Sequence, residues 1–368
     1  MTSAAILHLD TLRGVSDPLA DAVVRSFDSS SQDLPMVLDA GMRKGVAAVQ
    51  NAPDSLKAFL HDAESALNGA SSGALERAAE QYLLIGPLWM SVSLGPGSLV
   101  HTYSDPAIAA VLTRTGKLSA AGAARRLQET QRWNLSIVRP GGLVLGGAGY
   151  VQTLQVRLLH ARIRARLAQT SIDGAAGAAL IDQWQMVRTW LDFTVVAFRA
   201  LERIGFGLGA EDSADLYALW HLVGRLLGID EKVLELVANQ NSAQALLSHI
   251  DRETAAPDKN AIELTRAMLD ALGARLALAM KLPLEVGVLL AESYCRLFHG
   301  DSVADGLNVP VNWTASWLPI QADANRYRLL RAKQDGEFRS SIIEQSLKAC
   351  EAIDASFGGT AAYEHEDA

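Results

Sequence analysis

Apolar positions along this chain recur at intervals of three and four, the pattern of helices that bury one face. The spacing predicts helices over 150–168, 181–204, 214–227 and 261–280, and no convincing series of alternating positions marks a strand. Asp17-Pro18 and Asp105-Pro106 each set a capping side chain before a proline at the first helical position, where the missing N–H costs nothing. Ser119 is placed to cap a further helix running to about Val138. A closing helix is expected over 325–355, with a break near Gly336. The polar stretch 239–258 reads as a long irregular connection or a domain-like seam, and 358–368 as a frayed, disordered tail. The expectation is all-α: one domain over 1–357, its core about 76–235, with additional N- and C-terminal helices.

Composition narrows the function classes. Hydrophobic residues make up 49% of the 368 and charged residues 20%, enough for a sizeable core. The formal net charge is -8 and no Lys/Arg-rich run opposes it, which argues against nucleic acid and against anionic lipid as a partner. Cys295 and Cys350 form no CxxC, so a reducing compartment without structural zinc is expected. The start, Met1 to Asp10, has neither the basic region nor the apolar run of a signal peptide. Charges interrupt the greasiest stretch, 272–298, before it reaches the roughly 18 apolar residues of a membrane span. A cytoplasmic protein without a transmembrane segment is the expectation.

One loop invites a nucleotide reading. Residues 139–149 carry five glycines between two strong helices, but the Lys-Ser/Thr of a P-loop is missing. Gln152 also stands where a dinucleotide fingerprint requires glycine or alanine. A tight, flexible connector that lets backbone approach a bound group is the better account. Other chemistries fail on spacing. The chain has no HExxH, no GxSxG and no Glu-x-x-His, and without CxxCH any haem is held non-covalently.

Two helical segments carry candidate chemistry. In 156–164, Arg157, His160 and Arg164 project from one face, flanked by Val156, Ile163 and Leu167. An imidazole on an apolar stripe between two guanidiniums suits an iron porphyrin, which needs an axial nitrogen, an apolar slot and cations for two propionates. The competing reading is a satisfied structural histidine beside a solvated basic edge, since Arg162 and Arg166 follow. Upstream, Arg126, Glu129, Thr130 and Trp133 share a face and form a small polar cluster able to meet a ligand. Periodicity alone favours an ordinary surface face with an Arg–Glu pair. His221, beside Trp220, reads as a packing histidine, and His101, His249 and His299 have no accompanying pattern.

The order of the segments resembles the rubber oxygenase family, the latex clearing proteins, together with the related oxygenase of the mycophenolic acid pathway. The resemblance rests on Tyr103-Ser104-Asp105-Pro106, Thr115-Gly116-Lys117-Leu118, Arg126-x-x-Glu129-Thr130 and the glycine-rich loop. It continues through Val156-Arg157-x-x-His160-Ala161-x-x-Arg164 and Tyr217 followed by Val223-Gly224-x-x-Leu227-Gly228, covering about 82–229 well. It implies a globin-like helical core holding haem b, with His160 as the iron ligand and Arg126 and Thr130 on the opposite, dioxygen-binding side. Arg157 and Arg164 are carried over with the ligand, their propionate role being read from helix geometry. The implied reaction is dioxygen-dependent cleavage of an isoprenoid carbon–carbon double bond. Rubber-cleaving members carry lysine where this chain has Glu129, which here becomes a candidate proton donor or base. With no secretion signal expected, a small apolar alkene is a better substrate than a solid polymer. A haem peroxidase or peroxygenase and a non-catalytic haem- or gas-binding protein remain the alternatives, and the oligomeric state stays open.

Overall fold

The computed structural model describes residues 2–27, 33–114, 120–170 and 181–364. Among them every regular element is helical. The N-terminal helices are α1 (Thr2–Asp10), α2 (Pro18–Phe27), α3 (Leu34–Lys44) and α4 (Asp54–Asn68). The middle of the chain forms α5 (Ser72–Ile85), α6 (Pro87–Val92), α7 (Val100–Tyr103), α8 (Pro106–Arg114), α9 (Ala120–Val138) and α10 (Ala148–Thr170). After these come α11 (Gln183–Leu191), α12 (Ala197–Arg203), α13 (Ala210–Leu226), α14 (Glu231–Leu236) and α15 (Gln240–Glu253). A hairpin of α16 (Lys259–Met280) and α17 (Leu284–His299) precedes α18 (Asp301–Gly306), α19 (Leu318–Gln334) and α20 (Gly336–Ser356). Thr115-Gly116-Lys117-Leu118 and the Ser119 cap lie outside the described residues.

The predicted helices are present with small shifts, and two expectations need correction. The polar stretch after residue 238 is not an irregular seam but α15. Ala243, Leu246, Leu247 and Ile250 bury at spacings of three and four, and Asn239 caps the helix by accepting from the Asn241 and Ser242 amides. The polar residues between them had masked this stripe. The second concerns the tail: residues 361–364 are packed, not frayed. A short 3-10 turn, Ala362–Glu364, buries Ala361 and Tyr363 against α10. The break near Gly336 falls where expected, with Asp335 capping α20 through the Phe338 amide at 2.9 Å.

Two helical runs contain π-type turns, Ser93–Leu99 between α6 and α7 and Asp192–Val196 between α11 and α12. They pack against each other at the centre of the molecule, and Ser98 Oγ donates to the Asp192 carbonyl at 2.7 Å. Such turns insert one residue into the helical repeat and cluster at functional sites. The α16–α17 hairpin is packed along its length. A Cβ on Gly287 would lie 2.2 Å from the Gly273 carbonyl, so the glycines are what let the two backbones approach. No single helix among the described residues is long and apolar enough to cross a membrane. The bent pair Ser72–Ile85 and Pro87–Tyr103 passes that composition test only together, at an angle of 89°.

Candidate functional site

The site is built on the α9–α10 pair. Where the glycine-rich connector turns one helix back on the other, Gly149 leaves no room for a side chain: a Cβ there would lie 2.7 Å from Ile137 Cα and from the Ser136 carbonyl. Gly142, Gly147 and Gly149 approach the backbone of α9 and of the connector itself, and Gly146 approaches that of Arg43. Trp133 Nε1 then donates to Thr153 Oγ1 at 3.0 Å and fixes the antiparallel register. Two turns beyond this contact, roughly 10 Å along each axis, lie Arg126 on α9 and His160 on α10.

His160 is half-buried, and its Nδ1 is sealed from solvent without a hydrogen-bond partner. Burial and the Arg164 charge push its pKa down to about 4, with Asp17 pulling weakly the other way. The imidazole is therefore neutral near pH 7 and keeps a lone pair. Arg126 is the matching orphan, for its Nη1 is buried and unpartnered. Its charge bears on the buried Tyr103 phenol, opposing the rise that burial imposes there.

The expected roles of the other residues change once their partners are known. Arg157 is only 3% exposed. Its Nε and Nη2 donate to Asp17 at 2.6 and 3.0 Å, and its Nη1 to Asp62 at 2.8 Å. Arg164 donates from Nε and Nη2 to Asp21 at 2.9 and 2.6 Å, and from Nη1 to the Ile181 carbonyl at 3.3 Å. Arg157 thus ties α10 to α4 and to the residue that precedes α2, and Arg164 ties it to α2, instead of standing free for propionates. Asp17 and Asp21 announce nothing about a partner some 140 positions away, so spacing within α10 had no means of showing this.

The α9 cluster also divides. Glu129 and Thr130 are neighbours in sequence and so diverge by about 100° around a helix. Glu129 Oε1 accepts from Arg125 Nε at 3.2 Å and from the Ala362 amide at 3.1 Å, so it is paired with Arg125 and the C-terminal segment, not with Arg126. Thr130 turns instead into a narrow crevice between α9 and the α6–π segment. His221 is the packing histidine expected, its Nε2 2.7 Å from the Val237 carbonyl and its ring tilted against Trp190.

One polar cluster had no sequence signal. His101 Nδ1 lies 2.7 Å from Asp192 Oδ1 and its Nε2 3.3 Å from Asp251. Burial opposes a charge on this ring, but the two carboxylates override it and lift the pKa to about 9. His299 stacks on it with ring centroids 6.1 Å apart. Burial and the His101 charge drive the His299 pKa down to about 3. Arg188 closes the cluster through Asp251 and the His101 carbonyl. These residues come from four separated segments, so only folding brings them together. Among the described residues no group of three or more His, Cys, Asp or Glu is arranged to hold a metal ion. Cys295 and Cys350 are free and buried.

Comparison with known proteins adds the family. No curated protein matches this sequence. A solved structure, titled Structure of Latex Clearing Protein LCP in the closed state, superposes with a TM-score of 0.66. It shares 18% identity, with 90% of each chain covered, so what the two hold in common is the all-helical fold. The model of the family described as ER-bound oxygenase mpaB/B'/Rubber oxygenase, catalytic domain, matches residues 85–331. That span includes α9, α10 and both π turns, and it extends past the 82–229 over which the sequence motifs carried the resemblance. This chain belongs to the mpaB/rubber oxygenase catalytic-domain family.

Proposed function

We propose that the protein is a haem-b oxygenase that uses dioxygen to cleave or oxygenate a carbon–carbon double bond of a small, apolar, isoprenoid-like substrate. The observation that carries this reading is His160, a neutral imidazole with one ring nitrogen buried and unclaimed. An imidazole that ligates iron must be neutral, and its second ring nitrogen is left to set orientation and basicity. His160 meets the first condition, and it lies within an oxygenase catalytic domain. Haem, when bound there, would supply the binding and activation of dioxygen.

The chain's own residues do the rest. Arg157 and Arg164 hold α10 against α2, fixing the helix that presents His160. Arg126 offers a buried donor with no competing acceptor, able to stabilise negative charge in a place where water does not screen it. Glu129 acts by position: it ties α9 to the C-terminal segment, in place of the proton transfer its sequence context invited. We also propose a cytoplasmic location.

The test is turnover under labelled dioxygen. Protein supplied with hemin and a prenylated alkene should consume oxygen and place the label in carbonyl or oxygenated products. Oxidation driven by hydrogen peroxide without oxygen uptake would replace this reading with a peroxygenase. Bound haem with neither activity would leave a haem- or gas-binding protein.

A further inference from the structure

We infer that the outward face of α19 docks a second copy of this chain, the two helices running antiparallel about a two-fold axis at Ala324. The inference stands apart from the oxygenase reading and does not depend on it.

α19 is amphipathic the wrong way round. After Leu318 its buried residues are small or polar, namely Ala322, Asn325 and Ala332. They let the helix sit close to its neighbours, so close that a Cβ on Gly205 would clash with the Ala322 carbonyl. Asn325 Nδ2 donates to the Ile204 carbonyl at 2.8 Å, and Arg328 Nη1 to the Ile85 carbonyl at 3.0 Å. These bonds hold α19 firmly against the body of the protein. The large apolar side chains point away from it: Ile320, Tyr327 and Leu330 are 70%, 69% and 58% exposed. Trp313 and Trp317, also exposed, continue the patch on the 3-10 turn that leads into the helix, with ring centroids 4.8 Å apart. Folding of one chain gains nothing from these side chains, because they stay in water.

Spacing, symmetry and size say what covers the face. Trp313, Trp317, Ile320, Ala324, Tyr327 and Arg331 follow at intervals of four and three, the seam of two helices packed side by side. Ala324 is small and exposed, and it falls at the middle of the seam, where two backbones can approach. Trp317 stands seven residues before it and Arg331 seven after, about 10 Å either way along the axis. An antiparallel copy therefore sets each Trp317 against the Arg331 of the other chain, the self-complementarity a two-fold interface requires. The Arg331 guanidinium lies 4.1 Å from the Phe338 ring centre, and its side chain is still 48% exposed, which leaves room for a second ring. The charges beside the seam are matched within the chain: Arg326 with Asp323, Arg331 with Asp335 and Lys333 with Asp212. They make a polar rim around an apolar centre, unlike the basic face that an anionic membrane attracts. The exposed fractions leave on the order of 600 Å² of apolar surface on this face. A stable interface takes about 800 Å² from each partner, a little over half of it apolar, so the stripe is large enough.

Sedimentation velocity of the full-length protein across micromolar concentrations is the test. Wild type should sediment as a dimer. Ile320→Asp/Tyr327→Asp should weaken the dimer about thirtyfold or more, while circular dichroism stays that of the wild type because both positions face solvent in the single chain. Trp317→Arg should weaken it as well, by setting one guanidinium against another, and Trp317→Arg/Arg331→Trp should restore it. Restoration by the exchanged pair separates an antiparallel two-fold contact from a face that is merely sticky. A wild type that stays monomeric throughout overturns the inference. If that monomer floats with phosphatidylcholine vesicles, the face belongs to a membrane instead. A dimer that survives Ile320→Asp/Tyr327→Asp, or an exchanged pair that restores nothing, overturns it too.

Discussion

Arg157 and His160 sit one turn apart on α10 and are treated oppositely by their surroundings. The guanidinium is buried and enclosed by two carboxylates, whereas the imidazole is kept neutral with a nitrogen unclaimed. A buried ion pair adds little net stability, but removing one partner strands the other charge in a poorly solvated place. Arg157→Met should therefore destabilise the fold by about 3–5 kcal/mol in urea unfolding. The double variant Asp17→Asn/Arg157→Met should recover much of that loss. A single-variant cost below about 1 kcal/mol would mean that Asp17 is solvated or repaired elsewhere. At this scale the sequence was half legible. The shared face of Arg157, His160 and Arg164 follows from helical spacing alone. What each arginine binds depends on α2 and α4, far away in sequence, and that decided their role.

Helical periodicity located the long elements well: the apolar positions Val187, Leu191, Ala197 and Leu201 that marked 181–204 are all buried. It could not show that Asp192–Val196 is a π turn, since one inserted residue barely disturbs an apolar pattern. That turn places the fully buried Asp192 against His101 and Thr102, joining the second π segment to α7 by charge. The His101 pKa in the fold, about 9, lies above its ordinary value of 6.5. The folded state thus holds a proton that the unfolded chain releases first as pH rises. Stability from this pair is complete below pH 6.5, declines as pH climbs, and is gone above pH 9. The loss should be on the order of 3 kcal/mol and should shrink in Asp192→Asn, which leaves only Asp251 to hold the proton. Urea midpoints from pH 6 to 10 check this. A flat profile in the wild type would show that His101 is neutral throughout.

Across the whole molecule, the chain's end returns to its middle. Arg125 donates to the carbonyls of Gly358 and Thr360 at 2.5 and 2.7 Å, and its guanidinium lies 3.9 Å from the Phe357 ring centre. Arg132 pairs with Glu364 at 2.8 Å, and Tyr363 reaches Gln152 on α10 at 3.3 Å. A tail rich in glycine and alanine carries no helical signal, so the sequence suggested fraying. Its order comes from side chains on α9 and α10, which local composition cannot report. Truncation after Ser356 should speed amide exchange along α9 near Arg125 and Glu129 while α16 and α17 keep their protection. Unchanged exchange in α9 would show that the segment merely rests on the surface.

The central claim is that the imidazole of His160 is the group an iron porphyrin would use in this chain. Hemin titration followed by absorption spectroscopy tests it most directly, comparing wild type with His160→Gly before and after free imidazole is added. With His160 as the ligand, one hemin binds per chain with a sharp Soret band, the band is altered or missing in the variant, and imidazole restores it. A variant whose hemin spectrum matches the wild type without imidazole, or a wild type that takes up no hemin, would contradict it.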